Sequence, residues 1–150
     1  METSVTPGDR NVVHLGQLEI RYLQGATNAS RMGCFELTVP PGSNVPLPHS
    51  HAASEELIVV LEGTLRFTVG NETRDLQPGQ SMSTPPGETH GFSNPHAVTA
   101  RALVVNTPDI GIGYFQDMAA IINAGGPPDK AKLLSTMQHY GLVPAMPPRT

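Results

Sequence analysis

Glycine and proline punctuate this chain so often that long regular elements have little room. Fifteen of each occur in 150 residues, and each Gly–Pro cluster ends the pattern before it, because Pro cannot donate to a ladder and Gly permits sharp turns. The pieces between are strand-like. Val12 to Leu15 and Leu18 to Leu23 read as two short strands around Gly16-Gln17. Cys34 to Val39 alternates, with Phe35, Leu37 and Val39 on one face, and stops at Pro40-Pro41-Gly42. Leu65 to Val69, Ser81 to Thr84 and Ala97 to Asn106 follow, the last with Val98, Ala100, Ala102 and Val104 on one face. Many short strands at such spacing predict an all-β sandwich or barrel.

Leu57-Ile58-Val59-Val60-Leu61 is different, being apolar at five successive positions. A strand of this kind needs cover on both faces. With Glu62-Gly63 as a turn, it is expected to form a hairpin with Leu65 to Val69. After Pro108 the texture becomes helical. Tyr114 to Asn123 lacks Gly and Pro and carries Met118, Ile121 and Ile122 near helical spacing. Asp129 is placed to cap a second helix with an apolar stripe of Leu133, Leu134, Met137 and Tyr140. The expected organisation is a flexible N-terminus over 1–10, a barrel over 11–108, and a helical extension over 109–150 packing on the barrel. Either that extension or a second subunit, in a homodimer, would cover Leu57 to Leu61.

Charge excludes some partners. The net charge is −4, and the nine basic residues form no cluster. Nucleic acid and an anionic membrane surface are therefore not expected. Cys34 is the single cysteine, and Met1 to Arg10 is polar without an apolar signal run. Both suit a cytoplasmic protein.

The residues that carry chemistry are His49, His51, Glu56 and His90. On a strand, His49 and His51 share a face. Glu56 has the opposite parity, so residues 52–55 must contain a bulge or turn if it is to join them. His90 would arrive from a neighbouring strand, entered through Pro85-Pro86-Gly87. Neutral imidazoles and a carboxylate bind Fe, Mn, Ni, Co, Cu or Zn, and four protein ligands leave room for a further one. Glu55 competes with Glu56 for the ligand role. His14, His96 and His139 have no partner spacing.

The stretch resembles the two signature motifs of the cupin superfamily. Gly42, His49, His51, Glu56 and Gly63 match the first, with one extra residue between Gly42 and His49. Gly79, Pro85, Gly87, His90 and Asn94 match the second without departure. The spacing of six residues to Gly63 selects Glu56 over Glu55. The resemblance implies a double-stranded β-helix (jelly-roll) barrel followed by a C-terminal pair of helices. It also implies one divalent transition metal ion per chain, ligated by His49, His51, Glu56 and His90. The helical tail is similar to those of bacterial single-domain cupins of the quercetin-dioxygenase-like kind.

Three functions follow as expectations. The first is a metal-dependent dioxygenase acting with O2 on a small enol, enolate or carbonyl-containing molecule. Glu56 would then take a substrate proton, and Ile58, Val60, Phe67 and Phe92 would form an apolar pocket wall. The second is a metal-dependent isomerase, lyase or decarboxylase. The third is a non-catalytic metal or small-ligand binding module.

Overall fold

The computed structural model describes residues 11–145; the expected flexible segment 1–10 lies outside them. In chain order the elements are β1 (Val12–Leu15), β2 (Leu18–Gln24), β3 (Gly33–Val39), β4 (His49–His51), β5 (Glu55–Glu62), β6 (Leu65–Val69), β7 (Glu72–Leu76), β8 (Ser81–Thr84), β9 (His90–Ser93), β10 (Ala100–Thr107), α1 (Ile112–Ile122), α2 (Lys130–His139) and β11 (Leu142–Pro144). Two antiparallel sheets result. One is six-stranded in the order β1-β2-β3-β10-β5-β8, and the other five-stranded in the order β11-β4-β9-β6-β7. Their inner faces share one apolar core, including Leu18, Ile20, Leu37, Ile58, Val60, Leu65 and Phe67. This is a jelly-roll barrel with two C-terminal helices.

Strict alternation explains the longest strands. In β3, Phe35, Leu37 and Val39 are buried while Cys34, Glu36 and Thr38 face outward. In β10, Ala100, Ala102, Val104 and Asn106 are buried in the same way. Val98 is not part of that face: it is 64% exposed in the preceding loop, and the strand begins at Ala100.

The expected hairpin between Leu57–Leu61 and Leu65–Val69 does not form. β5 pairs with β10 on one side and β8 on the other, whereas β6 pairs with β7 and β9 in the opposite sheet. Both hydrogen-bonding edges of β5 are taken, so the chain must leave its sheet at Gly63. There φ is 71°, and an added Cβ would run into the Thr99 carbonyl oxygen. Gly70-Asn71 then closes the β6–β7 hairpin, with Val69 opposite Glu72.

The helices cover a different part of the barrel from β5. α1 packs on β1, and α2 packs on α1 and β11. On the outer face of β5, Leu57 and Leu61 stay 39% and 37% exposed, so the described part of the extension leaves this face open. In α2 the stripe is narrower than expected: Met137 is buried, but Leu134 is 46% exposed. Asp129 does cap the helix, its side chain accepting from the Lys132 amide at 3.2 Å. No helix among the described residues is long and apolar enough to cross a membrane.

An aromatic contact seats α1. Phe115 meets Phe35 edge-on at 5.1 Å, and Phe35 stacks on Tyr22 at 5.3 Å. The helix end is pinned by Asn123, which accepts from the Gly16 amide at 2.9 Å and donates to the His14 carbonyl at 2.7 Å. Asn123→Ala removes both bonds and is expected to cost about 1 kcal/mol, lowering Tm by roughly 2–4 °C. Thermal unfolding followed by circular dichroism checks this, and an unchanged Tm would show that the pin contributes nothing.

Candidate metal centre

The cluster is assembled from both sheets. β4 is only three residues long, and its neighbours fix it: His49 pairs with His90 of β9, and on the other side Leu142, Val143 and Pro144 of β11 pair with His51, Ser50 and His49. Pro144 is tolerated because β11 is an edge strand. The C-terminal segment thus buttresses the His-x-His strand, a role that its short apolar pair Leu142-Val143 did not advertise. The parity break before Glu56 is solved by a sheet change. After His51 the chain turns through residues 52–54 and re-enters as β5 of the other sheet, where Glu56 faces inward and Glu55 is exposed.

The turn before His90 is equally constrained. Gly87 has φ 83°, and its amide donates to the His51 carbonyl at 2.8 Å, which ties the approach of one imidazole to another. Asn94 is a structural pin, 2% exposed. Its amide donates to the Val39 and Val98 carbonyls, both at 2.9 Å.

His49, His51 and His90 each bring one ring nitrogen within 4.8 Å of the others. This is close enough for all three to hold one metal ion. Glu56 adjoins them through His90, whose Nε2 lies 3.0 Å from Glu56 Oε2. Two details suit a metal. The His49 Nδ1 donates to the Leu47 carbonyl at 2.8 Å, which leaves Nε2 with a free lone pair, as ligating imidazoles require. The His51 Nε2 is buried without a hydrogen-bond partner among the described residues, a costly state for a polar atom unless something binds there.

Burial and mutual repulsion set the protonation states. Burial pushes the His51 pKa down to about 4, and the neighbouring imidazoles add to that against the pull of Glu56. Burial, with the charge of His90, lowers His49 too. Burial alone would raise Glu56, but the hydrogen bond and charge of His90, with the other imidazoles, hold it below the usual range. Burial opposes protonation of His90 as well, yet the Glu56 carboxylate outweighs it and raises the pKa. Burial thus favours neutral His49 and His51, while Glu56 and His90 each favour the charged form of the other.

A cavity of about 60 Å³ adjoins the cluster. Ile58, Phe67 and Phe92 line it; Val60, at 0% exposure, lies outside the lining in the packed core. The sequence reading missed a wall supplied by α1, from Tyr114, Phe115 and Met118. Only the apolar spacing of that helix could have hinted at it. No Lys or Arg lines the cavity, and Tyr114 is its one hydroxyl among the described residues. His14 and His139 are exposed, His96 lies by Asp75 at 3.5 Å, and Cys34 sits on the outer face of β3.

Residues 35–106 match the family model of the cupin domain. The barrel is a cupin domain. An uncharacterized protein of Methanocaldococcus jannaschii is 34% identical over 73 residues, covering 49% of this chain and 58% of the relative. Among solved structures, a cupin-superfamily sugar phosphate isomerase from Silicibacter pomeroyi shares 27% identity at a TM-score of 0.56, covering 62% of this chain and 60% of that one. A Thermus thermophilus protein shares 26% at 0.57, covering 69% of this chain and 96% of that one. The chain thus spans less than two thirds of the first two relatives.

The buried imidazoles give the metal-free cupin a signed pH response. His51 has a folded pKa of about 4 against 6.5 unfolded, so the unfolded chain binds its proton first and stability falls as pH drops from about 6.5 to 4. The loss is on the order of 3 kcal/mol. The lowered Glu56 works in the same direction, its contribution lost as pH falls through its folded value. The raised His90 works oppositely: its contribution is present below 6.5 and lost as pH rises through the folded value. Melts in EDTA should show a Tm maximum near neutrality, with a shallower acid limb in His51→Asn. An equal acid limb in both proteins would contradict the assignment.

Proposed function

We propose that this cupin is a metal-dependent enzyme acting on a small, apolar-bodied molecule with an enol or carbonyl group, and that the reaction is a dioxygenation. His49, His51 and His90 would hold the ion, with Glu56 as the fourth ligand. When bound, a divalent transition ion supplies Lewis acidity toward a substrate oxygen and, for redox-active ions, access to O2 chemistry.

The observation that carries this reading is the contrast within the cavity. One polar cluster faces walls that are otherwise apolar. A sugar phosphate brings a dianion and several hydroxyls, each needing a partner once desolvated. Among the described residues the lining offers no Lys or Arg and one hydroxyl. A compact molecule that presents one anionic or carbonyl oxygen to the cluster and an apolar remainder to Ile58, Phe67 and Phe92 leaves nothing unpaired. O2 is itself apolar and enters such a space without desolvation cost.

The chain's own residues would divide the work. Glu56 accepts the proton of the enolisable substrate. His49 keeps its orientation through Leu47. Phe115 and Met118 exclude water from the side of α1. A second reading, an isomerase or lyase, is favoured by the likeness to the Silicibacter pomeroyi isomerase, and consumption of O2 separates the two. The homodimer remains a proposal as well: the exposed Leu57 and Leu61 are the surface a second copy would cover, and light scattering reads it.

A short β-diketone, an enolisable dicarbonyl with an apolar remainder, is the simplest probe of this reading. Protein loaded in turn with Fe(II), Mn(II) and Ni(II) should consume O2 with acetylacetone in an oxygen electrode, and Glu56→Gln should lower kcat by roughly 10²–10⁴-fold. Product formation with no O2 uptake would replace the dioxygenase by the isomerase or lyase. Turnover of glucose 6-phosphate but not of the diketone would overturn the substrate class.

A further inference from the structure

Four of the five buried side-chain polar atoms that lack a partner among the described residues belong to residues neighbouring Glu56. They are His51 Nε2, Thr84 Oγ1, and Asn106 Nδ2 and Oδ1. The sheet register explains the grouping. Thr84 of β8 is paired across the ladder with Glu56 of β5, and Glu56 in turn with Asn106 of β10. All three side chains face inward, so the carboxylate stands between a hydroxyl and a primary amide on adjacent strands. Directly opposed residues of this kind are within reach of each other. Thr84 is 3% exposed and Asn106 0%, so bulk water cannot satisfy either.

The row continues beyond Asn106 in a way that fixes its surroundings. The next inward position is Gly33 of β3, and an added Cβ there would collide with the Asp109 carboxylate. Asp109 is committed elsewhere, accepting from the Tyr22 hydroxyl and the Ala26 amide, both at 3.0 Å. The Asn106 amide is thus left between one occupied carboxylate and Glu56.

We infer that Thr84 and Asn106 are positioning residues that hold the Glu56 carboxylate when a metal ion occupies the three imidazoles. This rests on the metal-centre reading above. Among the described residues the Glu56 carboxylate is held by His90 alone. A histidine serves a metal only as neutral imidazole with its lone pair free, so His90 cannot keep donating from Nε2 to Glu56. The carboxylate then needs other donors, and the hydroxyl of Thr84 and the amide of Asn106 flank it with none of their hydrogen bonds made. Outer partners of this kind orient a ligating carboxylate and set its affinity.

The test is Co(II) titration of the full chain, read by visible absorption, for wild type, Thr84→Val, Thr84→Ser and Asn106→Leu, each also combined with Glu56→Gln. Thr84→Val and Asn106→Leu should weaken Co(II) binding on the order of 10- to 100-fold, while Thr84→Ser keeps it. In the Glu56→Gln background neither substitution should weaken binding further. Because both groups are unpaired in the metal-free protein, the apolar variants should keep or raise its Tm in EDTA, which a merely structural role would not allow. Equal losses with and without Glu56, or undiminished binding in both variants, would overturn the inference while leaving the metal centre standing. No Co(II) uptake by the wild type would overturn both.

Discussion

A carboxylate and an imidazole are held 3.0 Å apart inside an apolar barrel, and much of the structure is arranged around keeping them there. Desolvating a carboxylate is expensive, and a buried ion pair is rarely a net source of stability. Here the cost is met by strand pairing. Glu56 is carried on a strand with both edges bonded, and His90 on one paired with both β6 and β4. The two imidazoles on β4 would be poorly held by three residues of strand alone. β11 supplies the second edge, which makes the last part of the described chain a support for the first signature motif.

The barrel was legible because alternation and Gly–Pro punctuation are local signals. Phe35, Leu37 and Val39 announce their shared face without any knowledge of the fold. Which sheet a strand joins is not local. The Gly63 turn reads as a hairpin, but the demand of β5 for two neighbours sends β6 away. The three imidazoles and Glu56 were legible as residue types at set spacings, and the sheet change at 52–54 resolves the parity of Glu56. Its surroundings were not. Thr84 and Asn106 are ordinary strand residues in sequence, and only the register sets them on either side of Glu56. The wall from α1 was equally hidden, since Met118 stood out only for its helical spacing and Phe115 not at all.

These surroundings bear on chemistry more than the cluster does. The same three imidazoles in a cavity lined with arginines would suit a phosphate ester. In this barrel the lining is aliphatic and aromatic, so discrimination rests on what cannot be desolvated rather than on what is gripped. Tyr114, whose phenol burial holds in its protonated form, is the one extra polar group available to a substrate.

The central claim is that His49, His51 and His90, with Glu56, form one metal centre. It is tested most directly by elemental analysis of protein loaded with Mn(II), Fe(II), Co(II), Ni(II) or Zn(II) and freed of excess ion. The account predicts about one ion per chain in the wild type, and near none in His49→Ala or His90→Ala variants that keep the β-sheet circular dichroism of the wild type. A wild type that retains none of these ions, or variants that retain as much as the wild type, would contradict it.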